Sequence, residues 1–196
     1  MGLDSVELVI AFEKAFGVDI PDTQAEQMYA IEDAVSIITQ LINVQLEEPE
    51  LQNQILDRVN DTLIALGLVS SPQSLSTLLS EIIPKDQRKE HWRNLEKQLI
   101  LQLPKLTKVD LKEEKSTKAI LGVNWAQSAQ PFLNQNMSRL IDCIASLNYK
   151  KLVDPKKIKS AYEVQAVVMG ITSFTCGVDI KDIYPESRFV YDLGID

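Results

Sequence analysis

Apolar residues recur at three- and four-residue steps along most of this chain, the spacing of a single helix face. No stretch keeps the period-two alternation of a half-buried strand. Asp4–Phe16 reads as a helix carrying Leu8, Val9, Phe12, Ala15 and Phe16, with Asp4 as its N-cap and Glu7 completing a variant capping box. Gly17 is its natural stop. Pro21-Asp22 opens a short turn or helix, and Ile31, Ala34, Val35, Ile38, Leu41 and Ile42 fit the next helix. Glu47-Glu48-Pro49-Glu50 is a polar break that places a first boundary after residue 46.

The middle continues in helical style. Leu56, Val59, Leu63 and Leu66 form one stripe ended by Gly67, and Ser71-Pro72 begins a short segment reaching Ile83. Trp92, Leu95, Leu99 and Leu103 form a second stripe ended by Pro104, while Leu106–Gly122, rich in Lys and Glu, reads as a linker or mobile arm. Met137, Leu140, Ile141, Ile144 and Leu147 mark another helix, and Lys150–Lys159 is a basic connection. Val164, Val167, Val168, Ile171 and Phe174 make a last helix, closed by Gly177. The fold class expected is all-α, organised as residues 1–46, a helical middle 47–158 and a closing segment 159–196.

Composition narrows the function. With 196 residues, 45% of them hydrophobic, the chain can bury a real core. A net charge of −8 argues against general nucleic-acid binding, which needs concentrated Lys and Arg. That charge is uneven: residues 1–48 hold ten acidic and one basic side chain, 49–159 twelve and seventeen, and 160–196 six and two. Either three solvated surfaces differ by accident, or the acidic ends belong together and dock on the basic middle or on a basic partner.

Cys143 and Cys176 form neither a disulfide framework nor a metal spacing, which suits a reducing, cytoplasmic setting. The longest apolar run, Ala166–Ile171, is far short of the roughly 18–20 residues of a membrane span. No signal peptide is read at the N-terminus, and the Met1-Gly2 start lacks the Ser or Thr that myristoylation wants at position six, where Val6 stands.

Little else points to catalysis. His91 is the only histidine, so no multi-histidine site can form, and no glycine-rich phosphate loop or strand–turn–helix nucleophile site occurs. Trp92 and Trp125 read as core or interface anchors, and Cys143 and Cys176 as inert helix residues. The lysines from Lys105 to Lys118 interleave with acids and lack aromatic partners, unlike a nucleic-acid track. Lys150, Lys151, Lys156, Lys157 and Lys159 are a denser patch, either a solvated connector or a dock for an acidic helix.

The two ends carry a family resemblance. Gly2-Leu3-Asp4-Ser5 leading into Val6-Glu7-Leu8-Val9, then Phe12-Glu13-Lys14-Ala15-Phe16-Gly17 and Ile20-Pro21-Asp22, resembles the later part of an acyl carrier protein. Glu26 and the helix from Ile31 stand where the third and fourth helices of such a domain would. The first helix resembles Tyr162–Cys176, followed by Gly177-Val178-Asp179. Tyr184-Pro185-Glu186-Ser187-Arg188-Phe189 and Asp192-Leu193-Gly194-Ile195-Asp196 resemble the loop that leads to the acceptor serine. Gly194-Ile195-Asp196 thus overlaps Gly2-Leu3-Asp4 in motif.

This resemblance implies a four-helix bundle built from both ends, with the carrier halves in permuted order. Three arrangements fit: pairing within one chain, pairing between chains as a swapped homodimer, or halved carriers cut from a tandem array. It also implies 4′-phosphopantetheine on Ser5, installed by a phosphopantetheinyl transferase, with Asp4 beside it. Ser5 departs from the family pattern, since carriers have about one more helical turn before the Val-Glu-Leu-Val run. A one-turn deletion keeps Ser5 at the acceptor position; an ungapped match moves it three residues late. Glu7 and Glu13, with Val9 and Ile10 as apolar contacts, would recognise acyl-transfer or synthase enzymes of fatty-acid or polyketide type. Neither nucleic acid nor membrane is an expected partner, and the chain is not expected to be an enzyme. The rival expectation is an unmodified carrier-like interaction or regulatory module.

Overall fold

The structure is a computed structural model that describes residues 2–44, 49–111 and 131–196, apart from the Leu3 side chain. Its helices in chain order are α1 Leu3–Phe16, α2 Asp22–Ala25, α3 Ile31–Leu41, α4 Glu50–Ala65, α5 Leu79–Ile82, α6 Arg88–Leu99, α7 Lys108–Leu111, α8 Met137–Leu147, α9 Tyr149–Leu152 and α10 Ala161–Cys176. Two short 3₁₀ turns, Phe132–Asn134 and Ile180–Asp182, join them. Among the described residues there is no strand, only two isolated antiparallel bridges, so the fold is all-α. Trp125 and residues 112–122 of the expected linker lie outside the described residues.

The chain forms two compact units: Met1–Ile55 with Ile141–Asp196, and Leu56–Leu140. The divisions fall inside α4 and α8. In the first unit α10 is the central element. Val164, Val167, Val168, Met169 and Ile171 are all buried, as are Ala166, Gly170 and Thr172, so the helix is covered on most of its circumference. It packs on α1 and on α3. Leu8, Phe12 and Phe16 are the buried residues of α1, and Ile31, Ala34 and Ile38 those of α3. Each large apolar side chain so covered contributes about 1.5–3 kcal/mol. Phe174 leaves the expected stripe. It is 78% exposed, with the Lys150 ammonium 4.7 Å from its ring centroid.

Local chemistry sets the ends of α10. The Ser160 hydroxyl accepts from the Glu163 N–H at 3.3 Å, and the Glu163 carboxylate accepts from the Lys159 N–H at 2.8 Å. Gly177 then takes the left-handed φ of 69° that stops the helix. The connection 150–159 belongs to the first unit, because α9 packs on α10. There Gly170 faces the Ser146 carbonyl and the Tyr149 ring so closely that a Cβ would overlap both. On another side the Tyr162 hydroxyl donates to Asp142 Oδ1 at 2.8 Å, tying α10 to α8. Burial, then the Asp142 charge, pushes the Tyr162 phenol far above its ordinary range, so this donor stays protonated.

The second unit is built around α6 and its surroundings. Trp92, Leu95 and Leu99 are buried, and the Trp92 indole N–H donates to the Pro104 carbonyl at 3.0 Å while its ring meets Phe132 edge-on. The helix stops at Leu99 rather than running to Leu103, because Ile100 takes a left-handed φ of 56°. Beyond it Glu96 accepts from the Leu103 N–H at 3.1 Å, holding Leu103 in the core by a different route. In α4 the stripe is Ile55, Val59 and Leu63, with Leu56 only half-buried. Part of the expected linker is structured: Asp110 is buried, and its carboxylate accepts from the Thr107 N–H and hydroxyl, each at 2.7 Å.

The close approach at Gly170 yields a measurable consequence. Gly170→Ala should lower stability by about 1–3 kcal/mol, the usual range for overpacking, seen as a reduced calorimetric Tm. An unchanged Tm would mean that neither the Ser146 carbonyl of α8 nor the Tyr149 ring of α9 bears on α10 at this point.

Candidate functional site

The candidate site is the start of α1 and the turn that covers it. Four N–H groups open any helix without intrahelical partners, and α1 solves this without a side-chain cap. Its N-cap is Gly2, in extended geometry, so Asp4 lies inside the first turn and neither it nor Glu7 forms the capping box expected from spacing. The reason is a neighbour distant in sequence: the Ser5 N–H donates to the Asp196 carbonyl at 3.0 Å. Gly2 meets the Asp196 backbone so tightly that no Cβ would fit, which selects glycine there. Asp4 remains exposed, where its charge complements the helix N-terminus. Ser5 is half-buried and its hydroxyl donates to the Gly2 carbonyl at 2.9 Å.

Beside Ser5 lies a cavity of about 280 Å³. Leu8, Val9 and Phe12 of α1, Met28 and Tyr29 after α2, and Phe189, Tyr191 and Ile195 of the covering turn line it. Its walls are held by backbone bonds between distant segments. The Phe189 N–H donates to the Tyr29 carbonyl at 3.0 Å, the Ile31 N–H to Ser187 at 3.1 Å and the Glu32 N–H to Pro185 at 2.8 Å. Carbonyls of the covering turn thus satisfy the opening amides of α3, and the Asp33 carboxylate takes the Tyr29 and Ala30 N–H groups. At the mouth Tyr29 is 70% and Tyr191 81% exposed.

An ion pair stiffens the turn. Arg188 donates from Nε and Nη2 to the two oxygens of Asp192, both at 2.9 Å, and its own N–H adds a third bond to that carboxylate. The guanidinium carbon sits 5.0 Å from the Tyr191 ring centroid. These hydrogen bonds hold the Asp192 carboxyl down to about 2, and Asp192 in turn raises Arg188. Nothing in the helical periodicity flags Arg188, Asp192, Tyr29 or Tyr191; the loop resemblance includes Arg188 and Asp192 without assigning them a role, and their four-residue spacing is the signal that could have paired them.

The residues expected to recognise partners separate in position. Glu7 is exposed, Ile10 is 55% exposed, and Val9 is half-buried against the cavity. Glu13 is engaged instead: its carboxylate accepts from the Ile20 N–H at 2.8 Å, bracing the turn after α1. Burial, then the charges of Asp4 and Glu7, pushes the Cys176 thiol up, so it stays a thiol near neutrality and a poor nucleophile. Cys143 is buried. Among the described residues no group of three or more His, Cys, Asp or Glu side chains could hold a metal. Among those residues, too, no helix is long and apolar enough to cross a membrane. No protein-family model matches the chain, and no solved structure matches it significantly.

Two titrations check this electrostatic picture. Asp192 has a folded value below its ordinary 3.8, so its contribution is complete above that value and lost as pH falls towards about 2. Carboxyl-resolved NMR should give a midpoint near 2 that returns towards the ordinary value in Arg188→Gln. For Cys176 the shift is upward, so alkylation at neutral pH should be slower than for a free thiol. Asp4→Asn with Glu7→Gln should speed it and move its pH midpoint down, as read by mass spectrometry.

Proposed function

We propose that this chain is an acyl-carrier-like protein rather than an enzyme, holding acyl groups as thioesters on 4′-phosphopantetheine at Ser5. One observation carries the reading. Segments that resemble complementary parts of one carrier domain, from opposite ends of the sequence, pack in a single unit where the Asp196 carbonyl meets the Ser5 amide. The residues present fit the prosthetic group: a half-buried hydroxyl stands at a helix start, with one hydrogen bond to give up and an apolar cavity beside it. Releasing that bond costs about 1 kcal/mol.

The roles of this chain's own residues follow. Ser5 supplies the attachment oxygen, with Asp4 beside it keeping the helix start acidic. A phosphopantetheinyl transferase would attach the arm, whose terminal thiol supplies the thioester chemistry. Asp4, Glu7 and Ile10, exposed on α1, would meet synthase or acyl-transfer enzymes of fatty-acid or polyketide type in the cytoplasm, with Val9 at the cavity edge. Glu13 supports that face indirectly through Ile20.

A second reading is favoured by a specific feature. Ser5 is the third residue of α1, and both its amide and its hydroxyl are already hydrogen-bonded, as a purely structural serine would be. The protein would then be an unmodified interaction module using the same helix. Intact mass after co-expression with a broad-specificity phosphopantetheinyl transferase separates the two. A gain of one phosphopantetheine, absent in Ser5→Ala, is the expected result. An unchanged mass in a folded protein would establish the second reading.

A further inference from the structure

In the second unit two positive side chains without an ion-pair partner among the described residues edge an apolar cleft. Lys89 and Arg93 stand one turn apart on α6. With Lys105 they border a cleft of about 320 Å³ whose other walls include Trp92, Leu103 and Leu106. Polar atoms of those walls are already used: the Trp92 indole donates to Pro104, and Glu96 accepts from Leu103. What remains for an occupant is apolar surface edged by the Lys89 and Arg93 cations, with the Glu96 carboxylate also in the lining. An acidic amphipathic helix has that complement, because carboxylates one turn apart match cations one turn apart.

The chain itself carries such a helix. At about 100° per residue, Val6, Ile10 and Glu7 of α1 share an arc of about 100°, and Asp4 stands about 60° beyond Glu7 at its edge. All four are exposed, and they sit in a segment with ten acidic residues and one basic through residue 48. In the other dense basic patch three of the five lysines are engaged. Lys157 pairs with Asp154 at 3.9 Å, Lys159 with Glu50 at 3.7 Å, and Lys150 sits over Phe174.

We propose that the Lys89–Arg93 cleft receives the exposed acidic face of α1 from a second copy of the chain, in a reciprocal dimer. The same face of α1 is the one proposed to meet partner enzymes, so the dimer would compete with that contact, and it rests on Asp4 and Glu7 rather than on modification of Ser5.

Sedimentation equilibrium of the full chain tests this. At low salt the mass should rise from one chain to two with concentration, and fall back at high salt. Lys89→Glu with Arg93→Glu, and separately Asp4→Lys with Glu7→Lys, should each weaken association about tenfold or more. An equimolar mixture of the two variants should restore it, because each altered surface then meets its opposite charge. Circular dichroism identifies a variant that fails to fold, and Lys89→Gln with Arg93→Gln replaces it in the same measurement. A wild-type chain that stays monomeric at low salt overturns the proposal. So does association indifferent to these substitutions, or a mixture of folded variants that does not recover.

Discussion

The first unit depends on the covering of α10. A helix with Val164, Ala166, Val167, Val168, Met169, Gly170, Ile171 and Thr172 all buried has no side that suits water, so it needs neighbours on several sides at once. Two of them, α1 and α3, come from the opposite end of the sequence. The Ser146 carbonyl of α8 and the Tyr149 ring of α9 approach so closely that only glycine fits at position 170. Bringing the ends together costs loop-closure entropy, but that cost grows only logarithmically with the length between them. Several buried apolar side chains offset it readily.

This pairing also decides the chemistry at the start of α1. Helix ends need partners for their free amides, and short-range capping is the usual solution. Here the partners are backbone carbonyls from the covering turn, for α1 at Asp196 and for α3 at Ser187 and Pro185. The same turn supplies Phe189, Tyr191 and Ile195 to the cavity beside Ser5. Anchoring the helices and walling the cavity are therefore one structural act, and the Arg188–Asp192 pair stiffens the segment that does both.

Acidic side chains are used in two ways, and both units hold acids spent on backbone amides. In the second unit, Asp110 is buried with its carboxylate satisfied by Thr107, and Glu96 is spent on the Leu103 amide, so these acids organise turns. In the first unit, Asp4 and Glu7 stay exposed and act at a distance, adding to the burial that keeps the neighbouring Cys176 thiol protonated. An acid already used by the backbone is no longer available to a partner. That separates Glu13 from Glu7 although both lie on α1.

Sequence periodicity was enough to place α1, α3, α8 and α10 and to establish the all-α class, because one-sided burial of a helix leaves a repeat of three and four residues. Phe12, Ile38, Val59 and Val167 were legible as core for the same reason. The cap of α1 was not, since local spacing pointed to Asp4 while the amides found Asp196. Nor was the end of α6, where Leu103 keeps the repeat but Ile100 turns the backbone away. Glu13 reads like Glu7 along the chain, and only the return of Ile20 distinguishes them. Periodicity reports which side of an element is apolar; which distant carbonyl, carboxylate or ring arrives there is settled by long-range packing alone.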